Sequence, residues 1–232
     1  MDRLHQRLAR IAFDAGDDLG LVLAGGYAIS AHRLTERPSR DLDLATASRL
    51  PLDEITDRLA DAYRTEGFTV AIIESSPLMA RIEVTIGGQL CEVDLLKEAI
   101  GPPVLLDIGP VLALDDAVGL KVGALHDRAT HRDFIDVHAA HVRGGYTLTE
   151  LERLGALHLP GFSRAELMDR LGAVELRDDA HFFDYGLSEA DVRELRIWAT
   201  GWVDDLQQRV AGESTAADPR ADGPDWDRYL EE

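Results

Sequence analysis

Apolar residues recur at helical spacing at the start of the chain and through most of its second half. The first set, with intervals of three to four residues, predicts an amphipathic helix within residues 1–18. Its members are Leu4, Leu8, Ile11 and Ala15. From Leu114 onward the pattern is helical almost throughout, which indicates several helices in succession. Turn-forming breaks separate them at Gly144-Gly145, Leu159-Pro160-Gly161 and Tyr185-Gly186.

Between these two regions, short runs of β-forming residues are interleaved with helical segments. The runs are Leu19–Ala24, Asp41–Ala45, Phe68–Glu74, Arg81–Ile86 and Gln89–Leu96. Mixed strands and helices followed by helices alone predict an α/β (α+β) fold with a small mixed sheet. We therefore expect a sheet-containing domain at residues 1–112 and a helical domain at residues 113–212.

The last 20 residues, 213–232, differ from both parts in composition. They hold seven acidic and two basic residues, and Pro219, Gly223 and Pro224 interrupt any regular period. This composition is typical of a solvated, flexible tail. Its Trp226 and Tyr229 are the only side chains there that suggest docking.

The composition of the whole chain narrows the class of protein. The 232 residues include 24 Lys and Arg against 43 Asp and Glu, a formal net charge of −19. This charge argues against a protein that coats nucleic acid by bulk electrostatics, because that mode needs clustered Lys and Arg. The lone Cys91, interpreted as a buried core residue, forms no internal disulfide. No signal peptide or membrane-length apolar run is present, which predicts a cytoplasmic protein without a membrane contact.

Candidate chemistry begins at the glycine pair Gly25-Gly26, which stands between a predicted strand and a predicted helix. Glycines at such a turn let a ligand approach the backbone closely, and free N–H groups at a helix start favour a phosphate. A glycine pair that only ends a strand is the commoner case. By itself, the pair is therefore a weak indication of a phosphate site.

Two aspartates, Asp41 and Asp43, lie fifteen and seventeen residues after Gly26 in the next predicted strand. Side chains alternate along a strand, so both carboxylates lie on one face while Leu42 and Leu44 enter the core. An exposed acidic strand face is the alternative. Aspartate is rare in strands, and two neighbouring carboxylates repel unless a cation lies between them, which favours a cation site.

A third carboxylate is predicted from hairpin geometry. The runs 81–86 and 89–96, joined by Gly87-Gly88, fit two strands with a two-residue turn. Counting outward from the turn places Glu83 opposite Glu92 and Arg81 opposite Asp94. Arg81 and Asp94 then form a cross-strand ion pair at least. We select Asp94 as the third metal ligand and keep Glu92 as the alternative.

Three carboxylates on one sheet face, beside a glycine turn, suit the binding of Mg²⁺ against a nucleoside triphosphate. Mg²⁺ prefers hard oxygen ligands and is often bound by one or two carboxylates plus substrate phosphates. Mn²⁺ is an alternative ion of similar preference. The predicted metal ligands are Asp41, Asp43 and Asp94.

A basic segment later in the chain stands out against the acidic background. On one continuous helix, Lys121, Arg128 and Arg132 would lie on the same face. Alternatively, Thr130 and Asp133 form a capping pattern that starts a new helix at His131. A solvated basic stripe is the usual explanation of such a segment. Lys121 argues against this explanation, because the neighbours of Lys121 in the sequence are apolar.

Together these motifs resemble a known family. Gly25-Gly26, then Ser39-x-Asp41-x-Asp43 and an acidic residue in a later strand, resemble the nucleotidyltransferase fold of the DNA polymerase β superfamily. A later segment is similar to the AbiEii/AbiGii-type (MenT-like) nucleotidyltransferase toxins. It reads Lys121-x-x-Ala124-Leu125-x-x-Arg128-x-x-x-Arg132-Asp133-x-x-Asp136. The resemblance covers residues 20–140, and it departs where many superfamily members have serine in place of the second glycine.

The resemblance implies a Mg²⁺-dependent transfer of a nucleoside monophosphate from an NTP to an acceptor. It implies Ser39 and Asp41 at the nucleotide and metal, Lys121 on the triphosphate and Asp136 as a further active-site carboxylate. We assign Gly25, Gly26 and Arg128 to nucleotide binding as well. Asp136 would orient a reactant or serve as base.

The same resemblance implies the toxin of a toxin–antitoxin or phage-defence system, with a tRNA 3′ end as acceptor and a cognate antitoxin as partner. Three alternatives stay open at this point. A protein side chain or a cationic small molecule such as an aminoglycoside would suit the acidic charge of the chain. A non-catalytic nucleotide-binding module is the third, and the paired Asp41 and Asp43 argue against it.

Overall fold

A computed structural model of the chain describes residues 1–216. Residues 217–232, which include most of the predicted acidic tail with Trp226 and Tyr229, lie outside the described residues. The last helix continues through Ala216, so residues 213–216 are helical where the tail was expected to begin.

Seven strands form one mixed sheet. In chain order they are β1 (Val22–Leu23), β2 (Leu42–Thr46), β3 (Thr69–Ser75), β4 (Met79–Ile86), β5 (Gln89–Lys97), β6 (Val104–Leu106) and β7 (Gly109–Val111). Their order across the sheet is β3-β4-β5-β2-β1-β7-β6. β2 lies in the middle, antiparallel to β1 and parallel to β5.

The predicted α/β class with a small mixed sheet is confirmed, with local differences. Only Val22–Leu23 of the run 19–24 is a strand, because a 3₁₀ turn occupies Asp17–Leu19. The sequence pattern missed β6 and β7, which have three residues each and lie in a segment rich in Gly and Pro. Strands this short are below the length at which alternation is readable.

The hairpin register is confirmed residue by residue. Ile86 pairs with Gln89, and further out Arg81 pairs with Asp94. The inward side chains of β4 and β5 are almost fully buried under α3, while the alternating polar residues face the other side. Cys91 is buried on the inward face, as expected for a small core residue. The two faces of the sheet therefore separate the core from the candidate chemistry.

Nine helices are found within residues 1–216. They are α1 (Arg3–Asp14), α2 (Gly25–Ala31), α3 (Leu52–Thr65), α4 (Leu114–Asp127), α5 (His131–Val142), α6 (Leu148–His158), α7 (Arg164–Gly172), α8 (Asp179–Phe183) and α9 (Glu189–Ala216). A second 3₁₀ turn, Ala173–Leu176, follows α7. The lead-in helix and all three predicted breaks are present. No helix in the described chain is long and apolar enough to span a membrane.

The break between α4 and α5 decides between the two predicted arrangements of the basic segment. α4 ends at Asp127, Ala129 adopts a left-handed conformation with φ of +46°, and α5 begins at His131. The Asp133 carboxylate accepts hydrogen bonds from the Thr130 backbone N–H at 3.0 Å and from its hydroxyl at 2.6 Å. The capping interpretation is therefore correct, and the single-helix stripe is wrong.

One hydrophobic cluster runs through both parts of the chain, from Leu8 under the sheet to Trp202 on α9. We keep the division into domains at residues 1–112 and 113–212 as a proposal, in which the two parts share this core. In the helical part, a buried carboxylate cross-links three helices. Glu152 on α6 accepts hydrogen bonds from Trp202 Nε1 at 3.1 Å, Arg164 Nε at 3.2 Å and Arg209 Nη1 at 3.0 Å.

We expect Glu152→Ala to lower the free energy of unfolding by about 1–3 kcal/mol, because it leaves the buried Trp202 indole N–H without this acceptor. Urea denaturation measures this change. The control is Glu175→Ala, an exposed carboxylate whose removal is expected to change stability by less than about 0.5 kcal/mol. Equal stabilities of the two variants would show that the Glu152 network does not stabilise the helical part.

Candidate active site

The glycine pair lies where the chain leaves β1 and enters α2. Gly25 has φ of +57°, a conformation that L side chains rarely adopt. A Cβ atom added there would lie 1.8 Å from Oδ2 of Asp43. Both facts require glycine, so the backbone of Gly25 and the carboxylate of Asp43 lie against each other at the start of α2.

Ser39 lies over the second glycine. A Cβ atom on Gly26 would lie 2.8 Å from the Ser39 Oγ. The Ser39 hydroxyl donates to the Asp41 carbonyl at 3.3 Å, and the Tyr27 hydroxyl donates to the Ser39 carbonyl at 3.3 Å. These contacts bring Ser39, Gly26 and Asp41 together as the sequence predicted.

The three predicted carboxylates meet on the polar face of the sheet. Asp43 in β2 is the direct neighbour of Asp94 in the parallel strand β5, and Asp41 immediately precedes β2. Within the described residues, no donor forms a hydrogen bond with the Asp43 carboxylate. Burial raises the pKa of Asp43, and the neighbouring Asp94 and Asp41 carboxylates raise it further, against the opposing charge of Lys121.

Two arginines neutralise the other two carboxylates. Arg132 Nη1 donates to Asp41 Oδ2 at 2.8 Å. Arg81 binds Asp94 through two hydrogen bonds of 2.7 and 2.8 Å, in the cross-strand pair that the hairpin register predicted. The site thus contains two carboxylates bound to arginines and one, Asp43, without a bound donor among the described residues.

The structure also distinguishes the two candidates for the third carboxylate. Asp94 is the neighbour of Asp43 in the sheet, and its side chain is 14% exposed. Glu92 lies one side-chain position further from Asp43 on the same face, is 36% exposed and approaches Arg81 only to 3.7 Å. Asp94 is therefore the carboxylate that the fold brings to Asp43.

The donor set fits a hard divalent cation by its chemistry. Asp43 is a desolvated carboxylate without a hydrogen-bond donor in the described chain, beside two further carboxylates, and a cation would relieve their mutual repulsion. Within residues 1–216, however, no three His, Cys, Asp or Glu side chains are placed to hold an ion as they stand. Asp41 and Asp94 are engaged by arginines, so the assignment of Asp41, Asp43 and Asp94 as metal ligands stays a prediction.

The predicted role of Asp136 as base needs correction. Its carboxylate is fully buried and accepts hydrogen bonds from Arg37 Nε at 2.6 Å and Nη2 at 2.5 Å. Lys121 Nζ lies 3.0 Å from the same carboxylate. A buried carboxylate held by two cations has no access to a reactant. Asp136 therefore positions Lys121, whose side chain is 11% exposed and whose charge acts on Asp43.

Arg128 is also placed differently from the prediction. It caps the end of α4, and its guanidinium is bound to the Asp133 carboxylate at 3.1 and 3.2 Å. Burial opposes ionisation of Asp133, but the hydrogen bonds from Arg128 hold its pKa below the usual value. The Arg128 side chain is still 54% exposed and its charge is near Asp43. Arg128 can bind a phosphate only while it also stays paired with the Asp133 carboxylate.

Sequence reasoning missed Arg37, the bidentate partner of Asp136. Arg37 lies 99 positions before Asp136, in the loop ahead of β2, and its side chain is 2% exposed. It also lies over the ring of Tyr185, with 5.6 Å from Cζ to the ring centroid. The only local signal was its place directly before Pro38-Ser39, in a segment already singled out for Ser39.

A family model described as "Nucleotidyl transferase AbiEii toxin, Type IV TA system" matches residues 6–232. No curated protein matches the chain.

Among solved structures, the chain is similar to JHP933 from Helicobacter pylori, with 17% identity and a TM-score of 0.55; the match covers 92% of this chain and 96% of that one. A second H. pylori protein, described as a nucleotidyltransferase, has 16% identity and a TM-score of 0.56, with 90% and 98% covered. MenT4, a nucleotidyltransferase toxin from Mycobacterium tuberculosis, has 16% identity and a TM-score of 0.39, with 88% and 95% covered. At these identities, the first two likenesses show a shared fold.

The contact between Gly25 and Asp43 can be tested against a matched glycine. Gly87 in the hairpin turn has the same φ of +57°, but nothing lies within 4 Å of a Cβ added there. We expect Gly87→Ala to cost about 1–2 kcal/mol of unfolding free energy from backbone strain alone. Gly25→Ala is expected to cost about 1–3 kcal/mol more, because its methyl group overlaps Asp43. Urea denaturation of both variants measures the difference, and equal losses would contradict the contact.

Proposed function

Because the chain belongs to the AbiEii nucleotidyl transferase toxin family, we propose that it transfers a nucleoside monophosphate from an NTP to a tRNA 3′ end. Family membership makes the chain a nucleotidyltransferase of a toxin–antitoxin system, with an NTP as substrate and an antitoxin as partner. The tRNA acceptor, the Mg²⁺ ion and the roles of individual side chains are the proposal.

One observation carries the assignment of the site. The Asp43 carboxylate lies against the backbone of Gly25 at the start of α2, beside Asp41 and Asp94, and no donor in the described chain binds it. Asp43 is half-buried, so its carboxylate loses much of its contact with water, and an aspartate that served only the fold would be expected to gain a donor in exchange. An arrangement that leaves this carboxylate without one is typical of a binding site for a cation.

Asp41 and Asp43 would hold the ion, and Asp94 would complete the site or support Asp43. When bound, Mg²⁺ neutralises charge on the phosphates and on the pyrophosphate that leaves. The acceptor hydroxyl oxygen attacks the α-phosphorus, the bond to the pyrophosphate oxygen breaks, and the hydroxyl proton passes to a site carboxylate. Asp41 and Asp43 thereby orient both the α-phosphate and the attacking oxygen.

Lys121 is suited to bind the triphosphate, because it lies near Asp43 and is held in place by Asp136. Its charge acts on Asp43, and the buried Asp136 holds its ammonium group at 3.0 Å. A lysine fixed in this way is preorganised for a phosphate, which lowers the entropy that binding must remove. Ser39 and the backbone of Gly25 and Gly26 line the same end of α2 and would contact the nucleotide there.

We expect Asp41→Asn and Asp43→Asn each to lower transfer by more than about 100-fold while the protein stays folded, because each change removes metal-binding charge but keeps side-chain size. Glu83→Gln, on the same sheet face but farther from Gly25, is the control and should remain active. Each labelled NTP is incubated with Mg²⁺ and total tRNA, or with lysate. Full activity of both Asn variants would refute the metal site, and label on protein or small molecules alone would refute the tRNA acceptor.

Mg²⁺ and the correct NTP are expected to raise the melting temperature of the wild type. A ligand at about 100 times its dissociation constant stabilises the folded state by roughly 2.7 kcal/mol. Lys121→Ala should remove this shift, because the triphosphate loses its fixed cation. Lys97→Ala, which affects a lysine bound to the Leu50 carbonyl, should retain it. A shift that survives in Lys121→Ala would contradict the role given to Lys121.

A further inference from the structure

A pocket opens beside Asp41, and Lys121 does not line it. It has a volume of about 270 Å³ and lies between the segment before β2, the start of α5 and the region of α8. Arg132 lines it, and the guanidinium of Arg132 also binds the Asp41 carboxylate at 2.8 Å. The Arg132 side chain therefore lies between the pocket and Asp41 of the proposed reaction centre. We call it the α5 pocket; the residues that matter are Arg40, His131, Arg132, His181 and Tyr185.

The α5 pocket contains a cation that no carboxylate in the described chain neutralises. Arg40 and Arg132 are permanent cations; Arg132 is paired with Asp41, and Asp184, the only carboxylate that lines the pocket among the described residues, lies 3.7 Å from His181 Nδ1. Arg40 is exposed and forms no ion pair with any described residue. In a protein with a net charge of −19, this is a local site for an anion.

The free cation of the pocket is held in place by an aromatic ring. The Cζ atom of Arg40 lies 5.5 Å from the ring centroid of Tyr185, and Arg37 contacts the same ring. Cation–π contacts of this kind orient a guanidinium without neutralising its charge. Tyr185 thus links Arg40 to the buried Arg37–Asp136 pair, and so to the same support that positions Lys121.

One nitrogen in the pocket wall has no partner among the described residues. The Nε2 atom of His131 is shielded from solvent and forms no hydrogen bond there. Its ring is fixed by edge contacts with Phe182 at 4.6 Å and His181 at 5.0 Å. A shielded polar atom without a partner costs about 1–3 kcal/mol. A ligand oxygen is the kind of partner that this nitrogen lacks.

We propose that the α5 pocket binds a phosphodiester group of the RNA acceptor, next to the hydroxyl that receives the nucleotide. This inference rests on the proposed function and adds residues that it did not use. Lys121, Arg128 and Asp43 do not line the pocket, which separates it from the triphosphate. Arg40 holds the phosphate from the solvent side, while His131 lies on the α5 side of the pocket and His181 on the α8 side.

Arg40 is a better position than Arg132 or Arg143 for a test of RNA binding. Arg132 binds Asp41, so its removal would disturb the reaction centre together with RNA binding. Arg143 contacts the Leu34 carbonyl and lines a different cavity. Arg40 is the informative residue, because it is exposed and its side chain forms no ion pair with Asp41 or any other residue of the described chain. Arg10 on α1, exposed and without an ion pair among the described residues, is the matched control.

The experiment compares wild type, Arg40→Gln, Arg40→Gln with His181→Gln, and Arg10→Gln. Fluorescence anisotropy with a short labelled single-stranded RNA measures binding without NTP at about 50 to 200 mM salt. We expect Arg40→Gln to weaken binding about tenfold and to reduce the log–log salt slope by about 1. The double variant should bind more weakly still. In the labelling reaction, the KM for RNA should rise, while the MgNTP melting shift stays unchanged.

Each contrary result has a distinct meaning. If Arg40→Gln binds RNA like Arg10→Gln, the α5 pocket does not hold the acceptor and the inference is overturned. If Arg40→Gln loses the MgNTP melting shift, the pocket belongs to the triphosphate, which also overturns it. If the wild type binds RNA through Arg40 but labels none with any NTP, the proposed function fails while the phosphate pocket stands.

Discussion

The buried carboxylate of Asp136 is the contact on which the candidate site depends. It joins the loop before β2 through Arg37, α4 through Lys121, and its own helix α5. Removing one partner of such a buried set leaves an uncompensated charge, which is strongly destabilising. The loop that carries Ser39 and Asp41 is therefore fixed to the helices that carry Lys121 and Arg132. This carboxylate and the Arg132–Asp41 ion pair together hold the two halves of the site in place.

The ion pairs around the site also reduce its negative charge. Arg132 binds Asp41 and Arg81 binds Asp94, so of these three carboxylates only Asp43 lacks a bound donor in the described chain. An anionic triphosphate thus approaches a site that is close to neutral, in spite of the acidic chain around it. Exchange of arginine for a metal ion at Asp41 would free a guanidinium for the phosphates or the acceptor. The ion would add two positive charges to the site and so offset part of the negative charge of the triphosphate.

Local patterns were enough to predict much of this arrangement. The hairpin register around Arg81 and Asp94 and the helix start at His131 depend on turn and capping chemistry, which acts over a few residues. The family resemblance inferred from the motifs is confirmed by the match to residues 6–232. The buried partner of Asp136 could not be predicted, because Arg37 reaches it across 99 positions and no local pattern encodes such a contact. For the same reason the sequence does not show that Asp136 is buried, which is what argues against its predicted role of orienting a reactant or serving as base.

The long sequence separation of the Arg37–Asp136 contact has a consequence during synthesis. Chains emerge from the ribosome N-terminus first, at about 5–20 residues per second. Asp41 and Asp43 are exposed to the cell well before Asp136, and Tyr185 emerges later still. A nascent chain, or one ended early by a stop codon before position 136, carries the two aspartates without the anchor that orders them. The loop with Asp41 can therefore be fixed to α4 and α5 only after translation has passed that point.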